Sequence, residues 1–329
     1  LKICRICTLS LLVCVLTGSL FGQTRSNFLP ASLPGDKTAP GGVSAVLATI
    51  PDKHGSTLSS DGTCLFYRFW IPQNQPDPEF IVLFLHGIGL HSGRYVTTAQ
   101  QLNDSGIAVY ALDTRGHGLS CGQHGRIPDS ATENSDIAAM LATIRQLHPN
   151  AKLFLMAESM GSAFALNYAT ANPADISGMI LMSPVFAVSS TQYRQWGALR
   201  YVADYFFRRN APVVSLASRD KSGKIDPKAA ATQPKDSLAY TKVSVNYLMG
   251  VHRATLHWQE KAPQVHIATL VMQSEHDPIV KPGSVQQFFN LLATRDKQYN
   301  SFPDVLHSLL GNLHSPDVLH GVSAWIEGH

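Results

Sequence analysis

Apolar and polar positions along this chain fall into two kinds of block. Short strand-type runs, most of them continuously apolar, occur at 80–85, 107–112, 152–157, 178–182, 268–274 and 297–302. Runs of this length predict strands buried on both faces. Between them, at about 94–104, 133–147, 160–172, 282–293 and 316–326, apolar residues recur at the period of a helix. Strands alternating with helices predict an α/β fold: a mostly parallel sheet, eight-stranded, with helices on both faces. A hairpin is expected ahead of it. One strand lies around Val43 to Ile50, the turn near Ser59-Ser60-Asp61-Gly62, and the next strand runs from Cys64 to Ile71.

Two regions break the rhythm. Between Pro184 and Pro263 about eighty residues lack it, yet they hold Trp196, Tyr201, Tyr205, Phe206, Phe207, Tyr240, Tyr247 and Trp258. So long a structureless loop does not suit a compact domain. Residues 185–262 are therefore expected to form a mostly helical cap, inserted into a core of 43–184 and 263–329. Tyr201, Tyr205 and Arg208 fall at helical spacing, as do Leu199, Val202 and Phe206. Most of the aromatics are expected to form the cap's own core, and a few to line an apolar pocket. The second region is the start of the chain. Lys2 and Arg5 precede an apolar stretch and then small residues, so 1–22 reads as a secretory signal peptide. Residues 23–42, polar and rich in proline and glycine, read as a flexible linker. Export to the periplasm or medium is the expectation. Lipid anchoring at Cys14 is disfavoured by Val13 and by the apolar residues that follow.

Composition narrows the classes. The 329 residues are 44% hydrophobic and 15% charged, enough for one large domain with an insertion. The formal charge is +3, and Lys2 and Arg5 supply two of those charges. Nothing in that balance calls for nucleic acid. Of five cysteines, Cys64 and Cys121 lie beyond the leader. Export would permit a disulfide, but spacing alone does not pair them. No His/Cys cluster has metal-ligand spacing, and no lysine follows the glycines at 116–122 as a phosphate loop requires.

The chemistry is written in three places. The strand at 152–157 breaks at Glu158-Ser159-Met160-Gly161 and a helical pattern follows. This is the form of a nucleophile elbow, which holds a serine in a tight strand-to-helix turn. Alone it would be an ordinary turn. Downstream, Asp277 follows the strand-like run 270–274, and His307 follows another at 297–302. The order Ser159, Asp277, His307 is that of the α/β-hydrolase triad. Serine needs a base to take its proton, histidine can accept it near neutral pH, and aspartate holds the imidazole tautomer. The third place is His86-Gly87-Ile88-Gly89, directly after the strand 80–85. In this arrangement Ile88 and Met160 are expected to offer backbone N–H groups to an oxyanion. His86, Gly87, Gly89 and Gly161 are expected to support those turns.

The stretch His86-Gly87-Ile88-Gly89-Leu90-His91-Ser92-Gly93-Arg94-Tyr95 resembles the oxyanion loop of the monoacylglycerol lipase and lysophospholipase family. Asp113-Thr114-Arg115-Gly116-His117-Gly118-Leu119-Ser120 resembles its second signature, and Glu158-Ser159-Met160-Gly161 is similar to the elbow of its plant and bacterial members. The resemblance spans roughly residues 46 to 329. It implies a capped α/β-hydrolase that cleaves monoacyl lipid esters through Ser159, with no metal or organic cofactor. Arg94 and Glu158 are candidate substrate contacts, with packing beside the elbow an equal reading for Glu158, and the cap allows transient contact with a membrane or micelle. There are departures: Ala157 stands for the first elbow glycine, Ser162 for a following one, and Leu90 where monoglyceride lipases carry a glutamate near the glycerol. Small-ester, aromatic-ester, thioester and aminopeptidase activities on the same scaffold stay open, as does a binding protein without turnover. Asp113 and His117 precede the elbow and are read as structural. His276, His314 and His320 are weaker candidates for the base than His307.

Overall fold

The computed structural model describes residues 53–187, 208–216, 236–303, 307–310 and 315–329. The expected signal peptide, the linker, the strand at 43–50 and the aromatics of 196–207 lie outside these residues. Eight strands form one sheet: β1 (His54–Leu58), β2 (Cys64–Trp70), β3 (Phe80–Leu85), β4 (Ala108–Leu112), β5 (Lys152–Glu158), β6 (Gly178–Met182), β9 (Ala268–Ser274) and β10 (Lys297–Phe302). Their order is β1-β2-β4-β3-β5-β6-β9-β10. The pairs β1–β2 and β2–β4 are antiparallel, and all others are parallel.

Among the described residues the hairpin's first arm is His54–Leu58, and it pairs in register with Cys64–Arg68. The segment is polar enough to hide from an apolar-run search, but the turn holds it: Asp61 accepts from the Thr63 N–H at 3.0 Å, and Gly62 takes φ +80°.

Side-chain alternation along the strands builds two cores. Ile81, Leu83 and Leu85 of β3 face one, with helices α2 (Ser130–Leu147) and α3 (Met160–Ala171). Val82 and Phe84 face the other, with α1 (Val96–Asp104) and α7 (Ser315–Glu327). Helix α3 is buried on almost every side, from Met160 to Ala169. The strand between α3 and the cap, β6, and the helix α6 (Pro282–Leu291) complete the alternation.

The insertion holds strands as well as helices. Among its described residues, β7 (Pro212–Ser215) and β8 (Lys242–Ser244) pair as an antiparallel ribbon. Val213, Val214 and Val243 favour extended backbone, and Pro212 sits at the strand's start, where it is tolerated. Helix α4 (Val245–Thr255) follows, capped by the Ser244 side chain, and then the short α5 (Trp258–Lys261). Cys64 and Cys121 lie side by side, with the Cys121 N–H donating to the Cys64 carbonyl at 2.8 Å. The neighbouring Cys121 thiol and burial push the Cys64 thiol well above its ordinary range.

One buried carboxyl works against the fold. Glu133 on α2 is 2% exposed, and its Oε1 has no hydrogen-bond partner among the described residues. Burial, then the charge of Asp136, pushes its pKa up to about 8. Between the unfolded value of about 4.3 and that folded value, the unfolded chain has released this proton and the folded chain keeps it. Stability therefore falls as pH rises through that window. Glu133→Gln should flatten the decline of the melting temperature between pH 5 and pH 8; parallel profiles for variant and parent would contradict this.

Candidate active site

All the candidate catalytic residues sit at the carboxyl ends of parallel strands, where open α/β sheets place their sites. Loop 86–91 follows β3, Ser159 follows β5, Asp277 follows β9 and His307 follows β10.

Ser159 has φ 54° and ψ −116°, a left-handed conformation that a serine adopts only under constraint. Two features impose it. The Ser159 N–H donates to the Met182 carbonyl of β6 at 2.9 Å, and α3 starts at the very next residue. Gly161 explains why the turn can close. A Cβ there would lie 2.6 Å from the Leu85 carbonyl oxygen and 2.9 Å from that of His86. Ala157, by contrast, is an ordinary β5 residue paired with Leu85, so glycine is not required at that point.

His307 Nε2 lies 2.9 Å from Ser159 Oγ, and His307 Nδ1 lies 2.8 Å from Asp277 Oδ2. A carboxylate only accepts, so Nδ1 carries the hydrogen and Nε2 is left to accept from the serine hydroxyl. Asp277 is itself fixed. Its Oδ1 accepts from the N–H groups of Ile279 and Val280 at 2.8 Å each, and its Oδ2 from Gln273 Nε2 at 3.0 Å. Burial alone would raise its pKa. The hydrogen bond from His307 and the backbone donors outweigh burial and hold the carboxyl below its usual range. Such a line of bonds lets an imidazole remove the serine's proton while a carboxylate stabilises the cation that forms.

The loop after β3 comes close to the serine. A Cβ on Gly87 would lie 3.5 Å from Ser159 Cβ. Among the described residues, neither the Ile88 N–H nor the Met160 N–H donates to a protein acceptor. Gly89 takes φ +69°, and a Cβ there would lie 2.6 Å from Leu216 of the cap. His86 is fully buried and holds the Gly87 carbonyl through Nδ1 at 2.8 Å.

Of the two candidate substrate contacts, Glu158 is buried and hydrogen-bonded within the protein, whereas Arg94 is partly exposed. Glu158 is 2% exposed; its Oε2 accepts from the Tyr95 hydroxyl at 2.7 Å and its Oε1 from the Ser308 hydroxyl at 2.8 Å. The Gly87 N–H reaches the same Tyr95 oxygen at 3.3 Å. Glu158 thus ties the loop after β3 to the residue beside His307. Burial, then the Glu158 charge, raises the Tyr95 hydroxyl well above its ordinary value and keeps it a donor. Arg94 lies 3.8 Å from Asp236 of the cap, which also receives His91 at 2.9 Å. Sequence reasoning passed over Tyr95 and Ser308, although Tyr95 closes the motif that starts at His86.

Asp113 is structural, as expected. It is fully buried and accepts from the N–H groups of Ser92 at 2.6 Å and Leu119 at 2.8 Å. His320 is exposed on α7, and His314 lies outside the described residues. No cluster of His, Cys, Asp and Glu among the described residues could hold a metal ion, and no described helix is long and apolar enough to cross a membrane.

An eight-stranded, mostly parallel sheet with a serine elbow after β5 defines the class as α/β-hydrolase. Within that class, residues 76–314 match the family described as serine aminopeptidase, S33 (Hydrolase_4), and the chain belongs to that family. It is 26% identical to a monoglyceride lipase of Rattus norvegicus over 274 residues, 82% of this chain and 88% of the relative. It is 25% identical to a monoacylglycerol lipase of Mycolicibacterium smegmatis, over 82% of this chain and 94% of the relative. In fold it is similar to a soluble variant of the Saccharomyces cerevisiae monoglyceride lipase solved with a substrate analogue. That likeness has a TM-score of 0.70 at 19% identity and covers 85% of this chain and 97% of the other. It is also similar to the Paleococcus ferrophilus monoacylglycerol lipase, with a TM-score of 0.62 at 23% identity over 80% and 99% of the two chains. The protein is a carboxylic ester hydrolase.

Proposed function

We propose that the protein cleaves single-chain lipid esters, monoacylglycerols or lysophospholipid-like substrates, through an acyl-enzyme on Ser159. The observation that carries this reading is the unbroken line of hydrogen bonds from Asp277 through His307 to Ser159. Attack forms the bond from Ser159 Oγ to the ester carbonyl carbon, and the hydroxyl proton passes to His307 Nε2. The carbonyl oxygen becomes an alkoxide facing the N–H groups of Ile88 and Met160. Collapse breaks the bond to the leaving alcohol, which takes the proton from His307. Water then repeats the sequence on the acyl-enzyme and releases the fatty acid.

The substrate class rests on the relatives named above and on the apolar cap residues beside the loop. Leu216 and Tyr240 crowd Gly89, and the Tyr240 N–H donates to the Gly89 carbonyl at 2.8 Å. An apolar channel covered by such a cap would suit one acyl chain and leave little room for three. Leu90 cannot hydrogen-bond a glycerol hydroxyl, so selectivity is expected in the acyl chain more than in the head group.

The test is kcat/KM over a series of esters from acetyl to medium chains. Each buried CH₂ is worth roughly 0.8 kcal/mol, so the ratio should rise with length by up to about fourfold per methylene until the channel is full. A profile that peaks at acetyl and falls with length would overturn the lipid reading in favour of a small-ester or aromatic-ester hydrolase. An amino-acid amide in the same panel addresses the aminopeptidase named in the family's description.

A further inference from the structure

The cap reaches back into the oxyanion loop through one side chain. Tyr247 of α4 is fully buried, with its hydroxyl 2.7 Å from His117 Nε2, 3.3 Å from the Gly89 nitrogen and 3.4 Å from Met160 Sδ. His117 Nδ1 lies 3.2 Å from the Arg115 carbonyl oxygen and 3.1 Å from Thr114 Oγ1. The Thr114 hydroxyl and N–H are each 3.1 Å from His86 Nε2, and His86 Nδ1 is 2.8 Å from the Gly87 carbonyl oxygen.

Two carbonyl groups place every proton in this chain. A carbonyl oxygen only accepts, so Nδ1 of His117 and Nδ1 of His86 both carry hydrogen. Burial pushes His86 down to about 4 and His117 down to about 3, so both rings are neutral. Each Nε2 is then an acceptor. Tyr247 must donate to His117, and Thr114 must donate to His86. The Tyr247 oxygen is left to accept from the Gly89 N–H. The bonds run in one direction: Gly89 to Tyr247, to His117, to Thr114, to His86, to the Gly87 carbonyl.

We propose that this ring, closed by Tyr247 from the cap, aims the Ile88 N–H at the reacting oxygen, so that the oxyanion site is complete only with the cap seated. The Gly87 carbonyl and the Ile88 N–H belong to one planar trans peptide and point in opposite directions. Holding the oxygen through His86 therefore sets the direction of the N–H. On the other side of Ile88, the next peptide is held by its own N–H, that of Gly89, on Tyr247. Neither peptide can rotate without breaking a bond of the ring. Tyr247, His117 and Thr114 are positioning residues: they act on the reaction through the backbone of Ile88.

The inference rests on the proposed acyl-enzyme at Ser159, so the experiment carries a separate control for that reading. The full chain and its Ser159→Ala, Tyr247→Phe and Thr114→Val variants are assayed on p-nitrophenyl hexanoate. They are then titrated with a trifluoromethyl ketone of the same chain length, which becomes a tetrahedral alkoxide on the serine. Removing an oxyanion donor costs about 10²- to 10³-fold in kcat, and misaiming one should cost less. Tyr247→Phe is expected to lower kcat about 10- to 100-fold with KM within about threefold, and to weaken the ketone by the same factor as kcat. Thr114→Val opens the ring on the core side and should show the same pattern at smaller size, because the Thr114 N–H still reaches His86. A parental kcat in a folded Tyr247→Phe protein would overturn the proposal. So would a raised KM at constant kcat, which would make Tyr247 a substrate contact. If Tyr247→Phe does not fold, Thr114→Val decides alone, and a parental kcat and ketone affinity there overturn it. Failure of the serine mechanism itself reads differently: turnover would survive in Ser159→Ala.

Discussion

Ser159→Ala is expected to lower ester turnover by about 10⁴- to 10⁶-fold and to leave the fold intact. The loss is large because no other hydroxyl stands at hydrogen-bond distance from His307 Nε2 among the described residues. The fold should survive because alanine and serine meet the same steric penalty at φ 54°, and the Ser159 N–H bond to Met182 is a backbone bond. The hydroxyl removes no packing volume beyond its own oxygen. Turnover and a thermal melt, measured on the same preparation, check both halves. Near-parental turnover in a folded variant would remove the reaction from this site.

Asp277→Asn is the second large effect, at about 10⁴-fold in kcat. The local bonds say which way an amide would sit. Oδ1 accepts two backbone N–H groups, from Ile279 and Val280, so the amide oxygen must stay there. Its NH₂ then replaces Oδ2, the atom that faces His307 Nδ1. A donor in that place turns Nδ1 into an acceptor and moves the ring hydrogen to Nε2. The imidazole can then no longer accept the serine proton. His307→Ala should be at least as damaging. In the double variant with Ser159→Ala the losses should not multiply, because the three residues work as a unit. A multiplicative loss would place Asp277 outside the unit.

The strands β3, β4, β5, β6, β9 and β10 were legible because each is a short run bounded by turn residues, and Ser159, Asp277 and His307, which lie within hydrogen-bond distance of one another, stood out because each follows such a run. What was missed has a common cause. The strand His54–Leu58 is polar, and its pairing is set by the turn and by β2 rather than by its own pattern. The ribbon of β7 and β8 is four and three residues long, too short to show a period. Glu158 read equally as a substrate contact or as packing beside the elbow, and the partners of its two oxygens, Tyr95 and Ser308, lie 63 and 150 residues away. Tyr247 counted only as one more aromatic of the insertion. Its bonds to His117 and Gly89 cross 130 and 158 residues, and no local pattern carries contacts of that range.

The central claim is that Ser159 carries the acyl group of a single-chain ester. The most direct test is to mix the protein with a monoacylglycerol, quench in acid within the turnover time, and map the peptides by mass. The account predicts a peptide containing Ser159 heavier by the acyl group, absent from Ser159→Ala and accumulating in the Asp277→Asn variant only slowly. An acyl group found on another residue, or turnover of the ester with no acylated peptide at any quench time, would contradict it.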